Sequence, residues 1–328
     1  MAFGIPKLDV KLELSLRSDM KKVEDLLRTQ IQGDYPLVIE TSRHLVEAGG
    51  KRLRPLLALL AAQFGDHGKR EVIEAAVVCE LTHLATLYHD DVMDEAPLRR
   101  GVESANARWN NTVAILTGDY LFAKASDLLA DLGPEAVRLQ ARTFERLVIG
   151  QITETQGSTP GKSMLQHYLA VVADKTGSLI ATSARFGALL SGASPEIVEA
   201  LTSFGEKIGV VFQLADDVID IASESNESGK TPGTDLREGV PTLVTLFVLE
   251  STDPADAQLK EILSAPITDE AIVAETLKAL RTHRAMTQSR DLLHEYADQA
   301  KLELEPLPNS AAKRALIELC ETIITRTS

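Results

Sequence analysis

Two clusters of aspartate carry the first chemical signal. Residues 81–95 read LTHLATLYHDDVMDE, and residues 210–221 read VVFQLADDVIDI. In the first, Asp90 and Asp94 stand four apart with Asp91 between them; in the second, Asp216 and Asp220 repeat that spacing around Asp217. On a helix, residues four apart project from one face, and carboxylates packed there repel unless a cation neutralises them. Hard oxygen donors suit Mg²⁺, which keeps several waters and takes one or two carboxylates plus substrate phosphates. A single acidic cluster is compatible with a solvated face. Two clusters of the same pattern, each set among apolar residues, argue for bound cations, because charge in apolar surroundings must be paired. Facing each other, they would hold several Mg²⁺ ions around one polyanion.

Cations lie nearby in the sequence. Residues 49–55 read GGKRLRP and supply Lys51, Arg52 and Arg54; Arg99 and Arg100 follow the first cluster in PLRRG; Lys175-Thr176 and Lys230 lie close to glycines. Arg and Lys beside metal-binding carboxylates fit phosphate or diphosphate recognition, since charge-assisted bonds to phosphate are the strong ones. Two basic groups with two acidic clusters predict two diphosphates, one held through metal and one by side chains alone. His83 precedes Asp90 by two helical turns on the same stripe, and Gln213 precedes Asp216 by three residues. No Ser/His/Asp or Cys/His pairing suggests an enzyme nucleophile.

The elements that must carry these residues are helical. The 328-residue chain is 44% hydrophobic and only 4% aromatic, rich in Ala, Leu, Glu and Arg, which favours helix over sheet. Gly133-Pro134 and Ser194-Pro195-Glu196 read as helix boundaries. Residues 251–256 and 264–269 are polar, Pro-containing breaks, and 223–239 is a long Ser/Gly/Pro-rich loop of the kind that is functional or mobile. No alternating strand pattern stands out. The expectation is one all-α domain over residues 1–328, with the last 75 or so residues the weaker case for an appended lobe. A net charge of -14 excludes a sequence-independent nucleic-acid binder. Two cysteines, Cys79 and Cys320, make no disulfide framework. The N-terminus lacks a signal-peptide pattern, and the longest apolar run, Leu56 to Phe64, is too short to span a bilayer. A cytoplasmic protein with no transmembrane segment, and room for peripheral membrane contact, is expected.

GGKRLRP (49–55), HDDVMDEAPLRRG (89–101), KTG (175–177), FQLADDVID (212–220) and GKTPGTDLREG (229–239) occur in that order. Together they resemble the trans-isoprenyl (polyprenyl) diphosphate synthases. The resemblance implies an isoprenoid synthase-type helical bundle around a central cavity, a homodimer, and two to three Mg²⁺ ions. It implies head-to-tail condensation of isopentenyl diphosphate with an allylic prenyl diphosphate. Carried over by position, Asp90, Asp94 and Asp216 would bind metal, with Asp91, Asp217 and Asp220 in support. Lys51, Arg54, His83 and Arg100 would grip isopentenyl diphosphate, with Phe212 near its isopentenyl group. Arg99, Lys175, Thr176, Gln213 and Lys230 would contact the allylic substrate. The chain departs from many relatives at Val240-Pro241, where a Lys is common, so one phosphate contact is missing or supplied elsewhere. A terpene cyclase would not need the second basic group, and a noncatalytic subunit of a heteromeric synthase would not need both aspartate clusters.

Helical geometry bears on product length. At 100° per residue, Thr86 lies about 40° from Asp90 and Cys79 about 20°; Ala75 lies about 60° away and roughly 22 Å down the axis. The stripe below the first cluster is thus built from small side chains, with Thr82 beside it. The family resemblance implies that bulky aromatics four or five residues before the first aspartate stop growth early; here Ala85 and Thr86 stand there. A medium- or long-chain all-trans product is expected, with a short-chain (geranylgeranyl or farnesyl) product the alternative if another helix supplies a floor.

Overall fold

The structure is a computed structural model that describes residues 3–223 and 232–327. Lys230 lies outside the described residues. The expected all-α fold is present. The chain forms two compact units, one made of Met1–Phe144, Leu179–Gly205 and Pro306–Leu316, the other of Glu145–Ser178, Glu206–Glu305 and Ile317–Ser328.

In the first unit, α1 (Val10–Gln30) starts where Asp9 caps the amides of Lys11 and Leu12, and it buries Leu12, Leu16, Val23 and Leu27 at helical spacing. Helix α2 (Pro36–Glu47) opens on a proline, and α3 (Leu53–Ala62) is almost wholly apolar and buried. Helix α4 (Arg70–Met93) is buried on every side from Val72 through Leu81, the pattern of a helix enclosed by others rather than one lying on a surface. Its last turn carries Asp90 and Asp91, and Asp94 is its C-cap, bonding its amide to the Asp90 carbonyl at 2.8 Å.

A short antiparallel hairpin that the residue pattern did not suggest follows. Strand β1 (Leu98–Arg99) pairs with β2 (Val102–Glu103). The two linking residues, Arg100 and Gly101, have φ of 53° and 79°, the paired positive values of the turn that matches strand twist. With two residues per strand there is no alternation to read. Helices α5 (Ala105–Arg108) and α6 (Asn111–Leu132) complete this stretch. Helix α7 (Pro134–Gln156) begins at the predicted Gly133-Pro134 boundary.

Helix α8 (Met164–Val172) passes through a π-helical turn, Ala173–Gly177, into α9 (Ser178–Ser191), and α10 (Pro195–Ala222) carries the second aspartate cluster. The remaining helices are α11 (Thr234–Glu238), α12 (Leu243–Leu249), α13 (Ala257–Ile262), α14 (Glu270–Thr282), α15 (Arg284–Glu303) and α16 (Ala311–Thr325). The second unit's core joins Val218 and Ile221 of α10 to Val244 and Val248 of α12, Leu277 and Leu280 of α14, and Met286 of α15. Among the described residues no helix is long and apolar enough to cross a membrane.

A buried polar knot fixes α4 against α2 and α6. The Tyr88 hydroxyl donates to the Thr41 carbonyl and accepts from the Leu45 amide at 3.2 Å, while Thr117 Oγ1 donates to Thr41 Oγ1 at 2.9 Å. Tyr88 is fully enclosed, so Tyr88→Phe strands partners in a dry site. It should lower unfolding free energy by about 1–3 kcal/mol in urea titrations. An unchanged midpoint and slope would show that the knot carries no stability.

Candidate active site

Three guanidiniums of the first unit, those of Arg52, Arg54 and Arg100, lie in the field of one carboxylate of α4, Glu80. Glu80 is buried there, 1% exposed. Arg52 reaches it with Nη1 at 2.8 Å, and Arg100 approaches with Nη2 at 4.0 Å. Arg52 also donates from Nε to Glu24 at 2.7 Å and from Nη2 to the Val46 carbonyl at 3.1 Å. Of the three cations in GGKRLRP, Arg52 is therefore committed to the scaffold, Lys51 is exposed, and Arg54 is partly buried. The Arg54 Nε is buried and makes no hydrogen bond among the described residues. Burial lowers the pKa of Arg54, with the charge of Arg100 adding to the effect and that of Glu80 opposing it.

Arg100 sits in the hairpin turn, and its Nη1 donates to the carbonyls of Leu45 and Gly49. His83 lies in the field of all these groups. Burial, then the charges of Arg54, Arg100, Arg99 and Arg52, hold its imidazole well below the usual pKa, so it is neutral. Several guanidiniums share one enclosed carboxylate. An anion entering such a site would gain charge-assisted bonds from donors already in place.

Arg99 belongs to the aspartate cluster itself. Its Nε donates to Asp91 Oδ1 at 2.5 Å, and its Nη2 lies 4.0 Å from Asp94 Oδ2. Asp91 is fully buried, and its other oxygen, Oδ2, has no hydrogen-bond partner among the described residues. Burial raises the Asp91 pKa against the pull of Arg99. Asp94 is exposed and Asp90 partly so. Among the described residues no three His, Cys, Asp or Glu side chains converge as a closed metal cage. An orphaned buried carboxylate oxygen beside two more accessible carboxylates fits Mg²⁺, which needs few protein ligands when phosphate supplies the rest.

Below this cluster, Cys79, Thr82 and Ala85 are fully buried and Thr86 is 9% exposed. Thr82 Oγ1 accepts from Gln140 of α7 at 2.8 Å, and Thr86 Oγ1 donates to the His83 carbonyl at 2.8 Å. Burial pushes the Cys79 thiol up to about 12, which a hydrogen bond with Ser183 only partly offsets. The thiol is therefore protonated and unreactive.

In the second unit, Lys175, Thr176, Gln213, Asp217 and Tyr168 line a cavity of about 260 Å³. Lys175 Nζ donates to Glu154 at 2.6 Å. Asp217 is fully engaged: it accepts from the Tyr168 hydroxyl, from the Leu243 amide at 2.9 Å and from Gln213 Nε2 at 3.0 Å. It thereby anchors α10 to α8 and to the first turn of α12. Asp216, Asp220 and Phe212 are partly buried on the same helix. Val240 and Pro241 stand in the cavity wall without a cation, so Lys175 is the one ammonium among its described lining residues. Tyr168, Glu80, Glu154 and Arg146 escaped the sequence reading; only the spacing of Arg146 and Glu154, eight apart on α7, could have flagged a shared face.

The sequence profile of the polyprenyl synthetase family matches residues 35–280. The chain is 47% identical over 324 residues to nonaprenyl diphosphate synthase of Mycobacterium tuberculosis, covering 98% of this chain and 97% of that one. Among solved structures, it resembles geranylgeranyl pyrophosphate synthase from Corynebacterium glutamicum complexed with calcium and isoprenyl diphosphate. That likeness has a TM-score of 0.87 and 44% identity, over 97% of this chain and 98% of that one. It likewise resembles a polyprenyl synthase from Caulobacter crescentus complexed with calcium and isoprenyl diphosphate, with a TM-score of 0.89, 32% identity, and 98% and 99% coverage.

Asp217 offers a test of this geometry by pH. Burial raises its pKa from 3.8 to about 6, despite three hydrogen bonds. Between those values the folded chain binds more protons at this site than the unfolded chain, so its contribution to stability falls as pH rises from 4 to 6. The shift corresponds to about 3 kcal/mol. Unfolding measured across that range should lose less stability in Asp217→Asn than in the wild type. Parallel curves would contradict the buried placement.

Proposed function

The chain belongs to the polyprenyl synthetase family, and we propose that it condenses isopentenyl diphosphate head-to-tail with an allylic prenyl diphosphate to build a medium- or long-chain all-trans polyprenyl diphosphate. The carrying observation is the cluster of guanidiniums around neutral His83, with the unsatisfied Arg54 Nε among them. It is a diphosphate-shaped demand beside, not within, the first aspartate cluster. In this reading Arg54, Arg100, Lys51 and His83 hold isopentenyl diphosphate, with Phe212 near its isopentenyl group. Asp90, Asp94 and Asp216 are the Mg²⁺ ligands, supported by Asp91 and Asp220. Asp217 supports from behind, by fixing the direction of α10. Lys175, Thr176 and Gln213 serve the allylic diphosphate, as does Lys230, and Arg99 joins them from its place on Asp91. The chain 1–328 works as one catalytic domain.

The difficult step is loss of diphosphate from the allylic carbon to leave a carbocation. Bound Mg²⁺, two to three ions in this reading, supplies charge stabilisation on the departing diphosphate. Arg99 and Lys175 add fixed positive charge that needs no reorganisation when the bond breaks. The isopentenyl double bond then attacks, and the departing diphosphate takes the proton that is lost. Neutral His83 donates a hydrogen bond to the second diphosphate without itself needing to titrate. Apolar side chains in the wall of the second unit's cavity, Val171, Val172 and Leu246 among them, help keep water from the cation.

Small side chains at Ala85, Thr86, Cys79 and Ala75 support a longer product, as does the 47% identity to a nonaprenyl diphosphate synthase. The 44% identity to a geranylgeranyl pyrophosphate synthase favours the short-chain alternative, so product length is the discriminating readout. Exposed Ile115 and Leu116 on α6 support a homodimer. The absence of a membrane-crossing helix among the described residues is compatible with a cytoplasmic enzyme in peripheral contact with membranes.

Purified protein with MgCl₂, a short allylic diphosphate and labelled isopentenyl diphosphate should incorporate label, and chelation by EDTA should abolish it. Failure of the chain alone to incorporate label would favour a heteromeric subunit. Asp90→Asn should lower kcat by about 10²–10³-fold; full activity would remove Asp90 from the metal site. Thr86→Phe should shorten the product on reversed-phase chromatography, and an unchanged length would refute the assignment of that stripe to the growing tail.

A further inference from the structure

We propose that Arg146 is a positioning residue for diphosphate binding: from α7 it fixes, through Asp174 and Glu206, the π-helical turn that presents Lys175 and Thr176. The inference rests on the assignment of those two residues to the allylic diphosphate. The turn is a true departure from α geometry, since the Ser178 amide bonds back to the Ala173 carbonyl, five residues earlier. A π-turn holds one residue more than an α-turn and recurs at functional sites. Relaxed to α geometry, it would rotate the following residues by about 100° relative to α8 and turn this pair off the cavity wall. Something must therefore hold it.

Residues of α7 spaced four apart make contact with the turn in succession. Arg146 Nε donates to Asp174 Oδ1 at 3.0 Å, and its two terminal nitrogens donate to the carboxylate of Glu206 on α10 at 2.6 and 3.2 Å. Gly150 comes next and lets the backbones touch: a Cβ there would stand 2.7 Å from the Lys175 amide nitrogen and 3.1 Å from Asp174 Cβ. Glu154 follows, with Lys175 Nζ on its carboxylate. On the opposite side, Gly177 would bring a Cβ to 3.4 Å from the Glu206 carbonyl. The turn is thus gripped by α7 and α10, and Arg146 is the side chain that joins both. Its planar fork bonds two carboxylates at once; a lysine ammonium offers no such geometry. None of the residues through which Arg146 acts is a substrate contact in the proposed site.

Arg146→Met, Arg146→Lys and Gly150→Ala, made in the full chain, test this. At saturating isopentenyl diphosphate, Arg146→Met should raise KM for the allylic diphosphate about tenfold, with KM for isopentenyl diphosphate changed less than about twofold. Arg146→Lys should recover part of the loss. Gly150→Ala should give the same selective rise by pushing the turn from the other end. Hydrogen exchange, which needs no turnover, should show the amides of 173–178 exchanging faster in Arg146→Met. Equal rises in both KM values, or unchanged KM and exchange, would overturn the proposal while leaving the enzymatic reading intact. A wild-type chain that incorporates no isopentenyl diphosphate would overturn both.

Discussion

Guanidinium charge held in place without matching carboxylate is the constraint on which the first unit depends. Glu80 is the enclosed counter-charge, and Arg52 takes its near oxygen. Arg54 and Arg100 remain within its field, which opposes the burial that lowers the pKa of each. A fold does not retain such an excess for stability, because uncompensated buried charge costs several kcal/mol. The excess makes sense as a ligand site whose anion arrives later. His83 completes the logic: the same cations keep it neutral, so it adds a hydrogen bond to an anion without adding further repulsion.

The two aspartate clusters, alike in sequence, are built differently. In the first, Asp91 is the buried member and its side chain is held by Arg99, with one oxygen unsatisfied among the described residues. In the second, Asp217 is the buried member and both its oxygens are engaged, by Tyr168, Leu243 and Gln213. The middle aspartate of each D-D-x-x-D is therefore a tether to the scaffold, by an ion pair in one case and neutral donors in the other. The flanking aspartates are the more accessible ones.

Much of this was legible in the sequence because helical periodicity is a strong signal. The i,i+4 aspartates, the proline-marked boundaries at Gly133-Pro134 and Ser194-Pro195, and the all-α class needed only spacing and composition. What spacing does not give is direction and partner. Nothing in GGKRLRP says that Arg52 turns inward to Glu24 and Glu80 while Arg54 keeps an unpaired Nε, because both partners lie 28 residues away from Arg52 on other helices. The Arg100-Gly101 hairpin is too short for strand periodicity. The π-turn at 173–177 is set by α7 and α10, so KTG alone could suggest a phosphate grip but not what holds it in shape.

The most direct test of the account is calorimetric titration of isopentenyl diphosphate into the metal-free chain. Saturable binding is expected without Mg²⁺, weakened at least about tenfold, or 1.4 kcal/mol, by Arg54→Gln. A wild-type chain that shows no binding until metal is added, or an Arg54→Gln chain that binds as tightly as wild type, would contradict it.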